Sequence, residues 1–463
     1  MKKEVSLSKL TGIYMIGNFS SRIISFVLVF FMTYFLTKKE MGEYDLILTT
    51  ISLIVPCVSL QFDSSLLRWL LDKNEKNRKK EIFKNVFFVI GVNIIIYSIF
   101  YFIISYYVNF NYKLHIYILS LFMILYPLVQ QGTRGEGRNK LYAFSSVFYS
   151  FLFVGFTISF LYLFNLKVEG ILMGNILAIS IIIIFLFIKN NWIDYIGLKG
   201  YDKYLIKDMI KYSLPLLPNT LSWWLIGSAT RYVILLYLGV DDNGVFAISY
   251  KYPTIILMLS NVFTLAWQEK AIITSENSGS MDVFSSVLKK YIKLLLGALI
   301  VLTCMSKFLM GFVDANFFEA WKYIPILLYA VFLKAISAFY GVGYLTTKKT
   351  RGVFYSSLIG GIITIALSFI LTPLIGLYGV SISILAGYFI LLVLRINDMK
   401  KLIKINFPYD WFVILTIIYI LFSLTNLLHN TFFFMITVFC SLILFAYLNY
   451  NQLSIIVKKI FKK

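Results

Sequence analysis

The stretch SLQFDSSLLRWLL (residues 59–71) closes an apolar run that begins near Tyr44, yet it carries Asp63 and Arg68. The run exceeds the roughly 20 residues that a helix needs to cross a bilayer. A charged side chain at the bilayer centre costs about 2.5–3.5 kcal/mol on insertion scales. The stretch therefore predicts a transmembrane segment in which each charge has a partner, a water-filled cavity or a function.

The composition of the whole chain is that of an integral membrane protein. Of its 463 residues, 59% are hydrophobic and 14% are charged, and the mean hydropathy is +0.81. Soluble domains are about 45–50% apolar and about 25% charged. The first apolar run, 10–36, is longer than the core of a signal peptide and lacks a small-residue cleavage site, so we expect it to remain as the first span.

The apolar runs predict an all-α polytopic membrane protein with about 14 transmembrane helices. These runs are 10–36, 44–70, 83–109, 114–131, 142–164, 168–189, 212–238, 244–267, 288–313, 321–345, 353–375, 379–399, 409–428 and 431–452.

Lysine and arginine alternate in abundance from one connecting segment to the next. Most of the 43 basic residues fall in one set of segments that includes both ends of the chain, whereas the opposite set holds Lys38, Lys39, Lys113, Lys167, Lys307 and Lys322. Cytoplasmic loops collect basic residues, so both termini are predicted to be cytoplasmic. The net charge of +21 then reflects topology and attraction to anionic lipid headgroups, and it predicts no nucleic-acid binding.

Three short sequence matches recur in the same order at nearly one offset. YFLTKKEMGEY (34–44) aligns with LYLGVDDNGVF (236–246), RNKLYAFSS (138–146) with KTRGVFYSS (349–357), and NLKVEGI (165–171) with IGLYGVS (375–381). Halves of six spans keep the same orientation, an arrangement that many transporters use. We predict a first six-helix half (1–190), an interfacial linker (191–211), a second half in parallel repeat (212–400), and two extra helices with a basic tail (401–463).

Three stretches carry a family resemblance that extends over nearly the whole chain. YSLPLLPNTLSWWLIGSATRYVILLYLGVDDNGVFAISYKY (212–252), GNFSSRIISFVLVFFMTYFLTKKEMGEYDLI (17–47) and SLQFDSSLLRW (59–69) resemble the polysaccharide-exporting flippases, the O-antigen and capsular lipid-linked oligosaccharide translocases. Twelve spans plus two also fit the multidrug/oligosaccharidyl-lipid/polysaccharide exporter superfamily. One departure is Thr230, which stands before Arg231 where many relatives carry an acid.

The resemblance implies a flippase, not an enzyme, in the bacterial inner membrane. It would move undecaprenyl-pyrophosphate-linked oligosaccharide repeat units from the cytoplasmic to the outer leaflet by alternating access, for the synthesis of O-antigen, capsule or lipopolysaccharide. Ion antiport would drive it, so we expect no cofactor beyond H⁺ or Na⁺. A polymerase of the same pathway is an expected partner.

Six basic residues belong to neither set of connecting segments and lie within the predicted spans: Arg22, Arg68, Arg231, Lys251, Lys334 and Arg395. Arg68 and Arg395 approach cytoplasmic helix ends, where long basic side chains reach the headgroups. The other four exceed the available intramembrane acids, which predicts an aqueous cavity of positive potential that selects an anion. Arg22 and Arg231 are predicted pyrophosphate ligands, with Lys251 and Lys334 as field-setting partners. Alternatively, these bases bond to backbone carbonyls or pair with Asp63.

Asp63 is the one acid that lies away from the ends of the predicted spans. Its spacing of five from Arg68 places the two on neighbouring faces of a helix, so direct pairing is poor. Asp63 is therefore predicted either to meet a base on another helix or to bind H⁺ or Na⁺ for ion coupling.

Two other functions remain open at this stage. A polysaccharide polymerase or glycosyltransferase also has many spans, but such an enzyme usually needs a sizeable extramembrane loop for chemistry at the sugar. A multidrug antiporter of the same superfamily would favour an acid-lined cavity for organic cations, and the intramembrane charges here have the opposite sign.

Overall fold

The computed structural model describes residues 24, 26–72, 78–195, 201–275, 280–346, 351–403, 405–426, 431–450 and 454. Every regular element in these segments is helical. The chain divides into two compact units, Met1–Trp224 and Leu225–Lys463. The all-α fold is thereby confirmed, whereas the four segments proposed from the sequence, with their boundaries, stay a prediction.

Within the described residues, the first unit has seven α-helices with defined bounds and most of an eighth. They are α1 (Lys38–Ser59), α2 (Phe62–Leu71), α3 (Lys79–Tyr107), α4 (Lys113–Gly135), α5 (Asn139–Tyr162), α6 (Lys167–Asn190), α7 (Lys203–Ser213) and α8 (Leu217–Gly227).

Within the described residues, the second unit has the end of α8 and nine further α-helices with defined bounds. They are α9 (Thr230–Tyr237), α10 (Val240–Lys251), α11 (Thr254–Ser275), α12 (Ser280–Met310), α13 (Ile324–Thr346), α14 (Arg351–Ile375), α15 (Leu377–Leu402), α16 (Tyr409–Thr425) and α17 (Thr431–Leu448).

Nine helices in the described segments are long and apolar enough to cross a membrane: α1, α3, α4, α5, α6, α12, α13, α14 and α15. Helix α10 and the first part of α11 pass the same test as a pair bent by 42°, and α16 and α17 are shorter apolar helices. A multi-pass membrane protein follows. The predicted count of 14 spans and the cytoplasmic location of both termini stay predictions, because most of the run 10–36 lies outside the described residues.

The run 44–70 forms two helices, although the sequence predicts one continuous span. Helix α1 ends at Ser59 and α2 begins at Phe62, because Leu60 and Gln61 both adopt the left-handed conformation, with φ of 48° and 58°. This conformation is unfavourable for a residue with a side chain and ends the hydrogen-bonded ladder. The break places Asp63 in the first turn of α2 instead of mid-helix.

Helix α7 (Lys203–Ser213) is amphipathic and forms most of the second half of the predicted interfacial linker. Its Leu205 and Met209 are buried, and the Ser65 hydroxyl of α2 donates to the Met209 carbonyl at 3.0 Å. Asp202 caps the helix, accepting from the amides of the next turn, and it pairs with Arg78 at 2.9 Å. These hydrogen bonds, and then the Arg78 guanidinium, lower the pKa of Asp202. The apolar face of α7 is therefore covered by protein.

Candidate functional site

Arg231 lies beside the break between α8 and α9. It is 5% exposed, and its Nη1 donates to the carbonyl oxygen of Gly227, the last residue of α8. The guanidinium carbon lies 4.9 Å from the ring centroid of Phe246 and 4.5 Å from that of Tyr250, one turn apart on α10. The carbonyls at a helix end lack intrahelical donors. The helix break and two aromatic faces therefore hold this guanidinium in place.

Lys334 lies near the middle of α13, about 15 Å along the helix axis from Ile324 at 1.5 Å per residue. Its side chain is half-buried, and Nζ lies 5.5 Å from the ring centroid of Tyr388 on α15. Tyr388 is completely buried. The sequence predicts that this ammonium lies near mid-membrane, where a base has no short route to the headgroups.

Arg231 and Lys334 both lie near a pair of tyrosine side chains, Tyr250 and Tyr388. The charges of both Arg231 and Lys334 act on the Tyr250 hydroxyl, and that of Arg231 acts on Tyr388. A methyl group at Gly227 would lie 3.5 Å and 3.6 Å from the hydroxyl oxygens of Tyr250 and Tyr388, so both hydroxyls lie close to that backbone position. We call Arg231, Lys334, Tyr250 and Tyr388 the cationic cluster.

The cationic cluster has the donors of an anion site. In the described part of the chain, the charged groups that face its two hydroxyls are bases, with no acid among them. A guanidinium offers a planar fork for phosphate, an ammonium a compact charge, and a phenol one O–H donor. The alternative that a base bonds to a backbone carbonyl is realised at Nη1 of Arg231.

The other two predicted pyrophosphate ligands are Lys251 and Arg22. Lys251 is the last residue of α10 and is half-buried. Arg22 lies outside the described residues. The sequence thus identified both bases of the cluster but not its aromatic members. The four-residue spacing of Phe246 and Tyr250, which places them on one helix face, was the available signal.

Asp63 lies at the helix break of the first unit. The backbone amides of Asp63 and Ser64 and the Ser64 hydroxyl act on its carboxylate, and no basic side chain of the described residues does so. Arg68 instead forms an exposed ion pair with Asp72 at 3.8 Å. The predicted poor pairing of Asp63 with Arg68 is confirmed. A carboxylate in the first turn is favoured by the helix dipole, so Asp63 also stabilises the start of α2.

Asp63 lines a cavity of about 420 Å³ in the first unit. The polar residues in its wall are Ser52, Ser59, Gln61, Asp63, Tyr126 and Thr220, and the rest of the wall is Leu48, Ile51, Val55, Pro56, Met123, Ile124 and Pro127. The carboxylate is thus accompanied by hydroxyl and amide oxygens, which are ligands for a small hard cation or acceptors for a proton relay.

The structure contradicts the prediction made for the side chain of Arg395. It was expected to extend to the headgroups, but it is 1% exposed. Nη1 donates to the Ser337 carbonyl at 2.6 Å, Nε to the Ser356 hydroxyl at 3.1 Å, and Nη2 to the Ser357 hydroxyl at 3.0 Å. A buried guanidinium therefore connects α13, α14 and α15.

In the segments that the structure describes, no group of three His, Cys, Asp or Glu side chains could hold a metal ion.

Comparisons with known proteins identify both a sequence family and a fold. A family model described as "Polysaccharide biosynthesis protein" matches residues 7–267. The lipid II flippase MurJ in its inward closed conformation has a TM-score of 0.73 at 14% identity, covering 96% of this chain and 99% of that one. No curated protein matches.

Two further structures show the same fold. For a mutant of the Vibrio cholerae MATE transporter VcmN, the TM-score is 0.62 at 12% identity, covering 85% of this chain and 96% of that one. For a MOP superfamily transporter from Pyrococcus furiosus, the TM-score is 0.58 at 14% identity, with 83% and 92% covered. The fold that these transporters share is therefore the fold of this chain.

Proposed function

This chain belongs to the family of polysaccharide biosynthesis proteins, and from that premise we propose that it moves lipid-linked oligosaccharide across the membrane. The cargo is an undecaprenyl-pyrophosphate-linked repeat unit, carried from the cytoplasmic to the outer leaflet by alternating access. The family match bears out the resemblance read from the sequence. The transporter fold favours translocation over catalysis.

The observation that carries this proposal is the convergence of Arg231 and Lys334 on two tyrosine hydroxyls. A pyrophosphate carries several negative charges, and its transfer into a membrane interior is unfavourable unless fixed cations replace water. In our proposal the guanidinium binds the pyrophosphate in a bidentate manner and the ammonium stabilises the second phosphate. Arg22 and Lys251 are proposed to contribute at other stages of the transport cycle.

We assign ion coupling to Asp63. A carboxylate without a basic partner among the described residues, in a cavity with other oxygen ligands, suits the binding of H⁺ or Na⁺. Binding would neutralise the carboxylate and change the stability of the adjacent helix break. The ion gradient would then bias the equilibrium between inward-open and outward-open states.

The proposed setting is the bacterial inner membrane, where the flippase supplies repeat units to a polymerase for O-antigen, capsule or lipopolysaccharide. A multidrug antiporter is the second candidate, because MATE transporters share the fold. An organic cation, however, would meet the like charges of Arg231 and Lys334. A polymerase or glycosyltransferase is less favoured, since the solved structures of similar fold reported above are transporters.

The test is a gene deletion followed by leaflet-selective labelling of the lipid-linked oligosaccharide. We expect the oligosaccharide to accumulate on the cytoplasmic leaflet, and Arg231→Ala and Lys334→Ala variants to restore transport poorly at normal protein level. Lys307→Ala is the matched control, because Lys307 also lies over an aromatic ring, that of Trp321 at 5.0 Å, but outside the cationic cluster.

Two results would contradict the proposal. Single repeat units on the outer leaflet, with polymer lost, would identify a polymerase. Full transport by both Arg231→Ala and Lys334→Ala would show that neither base is needed to bind the pyrophosphate.

A further inference from the structure

Two lysines of α12 face one indole at the start of α16. Nζ of Lys293 lies 3.5 Å from the ring centroid of Trp411, and Nζ of Lys289 lies 5.8 Å from it. The spacing of four residues places both lysines on one face of α12. Lys289 is exposed, and Lys293 and Trp411 are half-buried. Two ammonium groups therefore converge on a single aromatic surface.

No acid of the described residues neutralises this pair. The charged group that acts on Lys293 is Lys289, a like charge. Asp410 lies next to Trp411 in the first turn of α16, but its side chain is exposed and forms no ion pair with either lysine in the part of the chain that the structure describes. Like charges that face one ring repel each other, and an anion between them would be attracted to both.

The surroundings are those of a membrane interface. The backbone amide of Asn406 donates to the Ser285 hydroxyl at 3.0 Å, which fixes the segment before α16 against α12. On the other side, Lys400 at the end of α15 donates to the Tyr409 hydroxyl at 3.3 Å. Trp, Tyr and Lys are the residues that anchor a membrane protein at the headgroup level.

An apolar surface begins three residues beyond the indole. Ile414, Ile417 and Leu421 of α16 are 51%, 53% and 57% exposed, and their spacing places them on one side of the helix. A ligand with a charged head and hydrocarbon chains could place its head at the two lysines and its chains along the apolar side of α16.

We propose that Lys289, Lys293 and Trp411 bind the phosphate headgroup of an anionic phospholipid, phosphatidylglycerol, with its acyl chains along α16. The two lysines bind the phosphate, and the indole packs against the glycerol region. The bound lipid holds the start of α16 against α12. This binding site shares no residue with the cationic cluster, and the proposal does not depend on the transported substrate.

The experiment is native mass spectrometry of the full chain with phosphatidylglycerol and, separately, phosphatidylcholine. We expect the wild type to retain phosphatidylglycerol preferentially. The double variant Lys289→Gln with Lys293→Gln should weaken that retention by on the order of tenfold, as expected for two lysines near an anionic lipid. Lys289→Arg with Lys293→Arg keeps both charges and should retain the lipid.

Lys290→Gln is the matched control, because Lys290 is an exposed lysine of the same helix that lies outside the contacts to Trp411. Brominated phosphatidylglycerol should also quench fluorescence in the wild type more than in Trp411→Phe. Equal retention by the Gln double variant and the wild type would overturn the proposal. An equal loss of lipid retention in Lys290→Gln would also overturn it, because it would indicate attraction to net charge alone. Displacement of the lipid by polyprenyl phosphate at equal concentration would overturn it as well.

Discussion

Arg395 donates a hydrogen bond from Nη1 to the carbonyl oxygen of Ser337 at 2.6 Å. Ser337 follows Lys334 by three residues on α13, so the buried guanidinium holds the helix one turn from the ammonium of the cationic cluster. Through Ser356 and Ser357, the same side chain holds α14. Arg395 is therefore a positioning residue that fixes the helix carrying Lys334.

Replacing Arg395 with alanine should destabilise the protein. The substitution leaves a cavity and removes the hydrogen bonds from the guanidinium to α13 and α14. A loss of about 2–5 kcal/mol in the free energy of unfolding is typical for a large buried side chain. Thermal unfolding of the purified protein measures the effect as a lower Tm. Arg68→Ala is the control, because its side chain is 57% exposed and such pairs contribute about 0–1 kcal/mol. An unchanged Tm in Arg395→Ala would show that the guanidinium is not needed for packing.

The tyrosine hydroxyls of the cationic cluster should matter for anion binding more than for folding. Tyr388→Phe and Tyr250→Phe each keep the ring that faces a base but remove one O–H donor. A hydrogen bond to a charged group contributes roughly 1.5–3 kcal/mol, so we expect affinity for a soluble pyrophosphate to fall about tenfold or more. Isothermal titration with inorganic pyrophosphate measures this change.

Tyr329→Phe is the matched control for the two tyrosine variants, because the Tyr329 hydroxyl bonds to Thr416 outside the cluster. Its pyrophosphate affinity should equal that of the wild type. Wild-type affinity in both Tyr388→Phe and Tyr250→Phe would exclude their hydroxyls as ligands.

The fold was predictable because the length of an apolar run is a local property of the sequence. The break at Leu60–Gln61 was not, since neither residue favours the left-handed conformation that ends α1. Arg231 and Lys334 were identified because intramembrane bases are rare and costly. Arg395 was misplaced because its position along a span does not reveal whether its helix face meets lipid or protein. Tyr250 and Tyr388 were not predicted, because the chain has 33 tyrosines and the sequence does not distinguish these two from the others.

A close crossing of α14 and α15 depends on Gly387, next to Tyr388. A methyl group there would overlap the Thr364 side chain and lie 2.9 Å from the Gly360 carbonyl oxygen. Because backbone atoms cannot yield as a flexible side chain can, Gly387→Ala should destabilise the protein by about 1–3 kcal/mol. Gly155→Ala is the control, since nothing lies within 4 Å of its added methyl, and it should stabilise α5 by up to about 1 kcal/mol. Equal unfolding temperatures for the two variants would contradict the close crossing.

Asp63→Asn should reduce transport without reducing the amount of protein in the membrane. The amide fits the first turn of α2 and still accepts a hydrogen bond, but it cannot exchange a proton or supply a negative charge to Na⁺. Coupling between two sites is typically 5- to 150-fold, so we expect ion-driven translocation to fall roughly tenfold. Vesicles with imposed H⁺ or Na⁺ gradients measure the rate, and the gradient dependence of the wild type should disappear in the variant.

Asp72→Asn is the control for coupling, because Asp72 ends α2 in an exposed ion pair with Arg68. Its rate and gradient dependence should match the wild type. If transport and protein level fall together in Asp63→Asn, then Asp63 serves to cap α2. If the variant keeps a full response to both gradients, the coupling ion binds elsewhere, and the cavity at the helix break has another use.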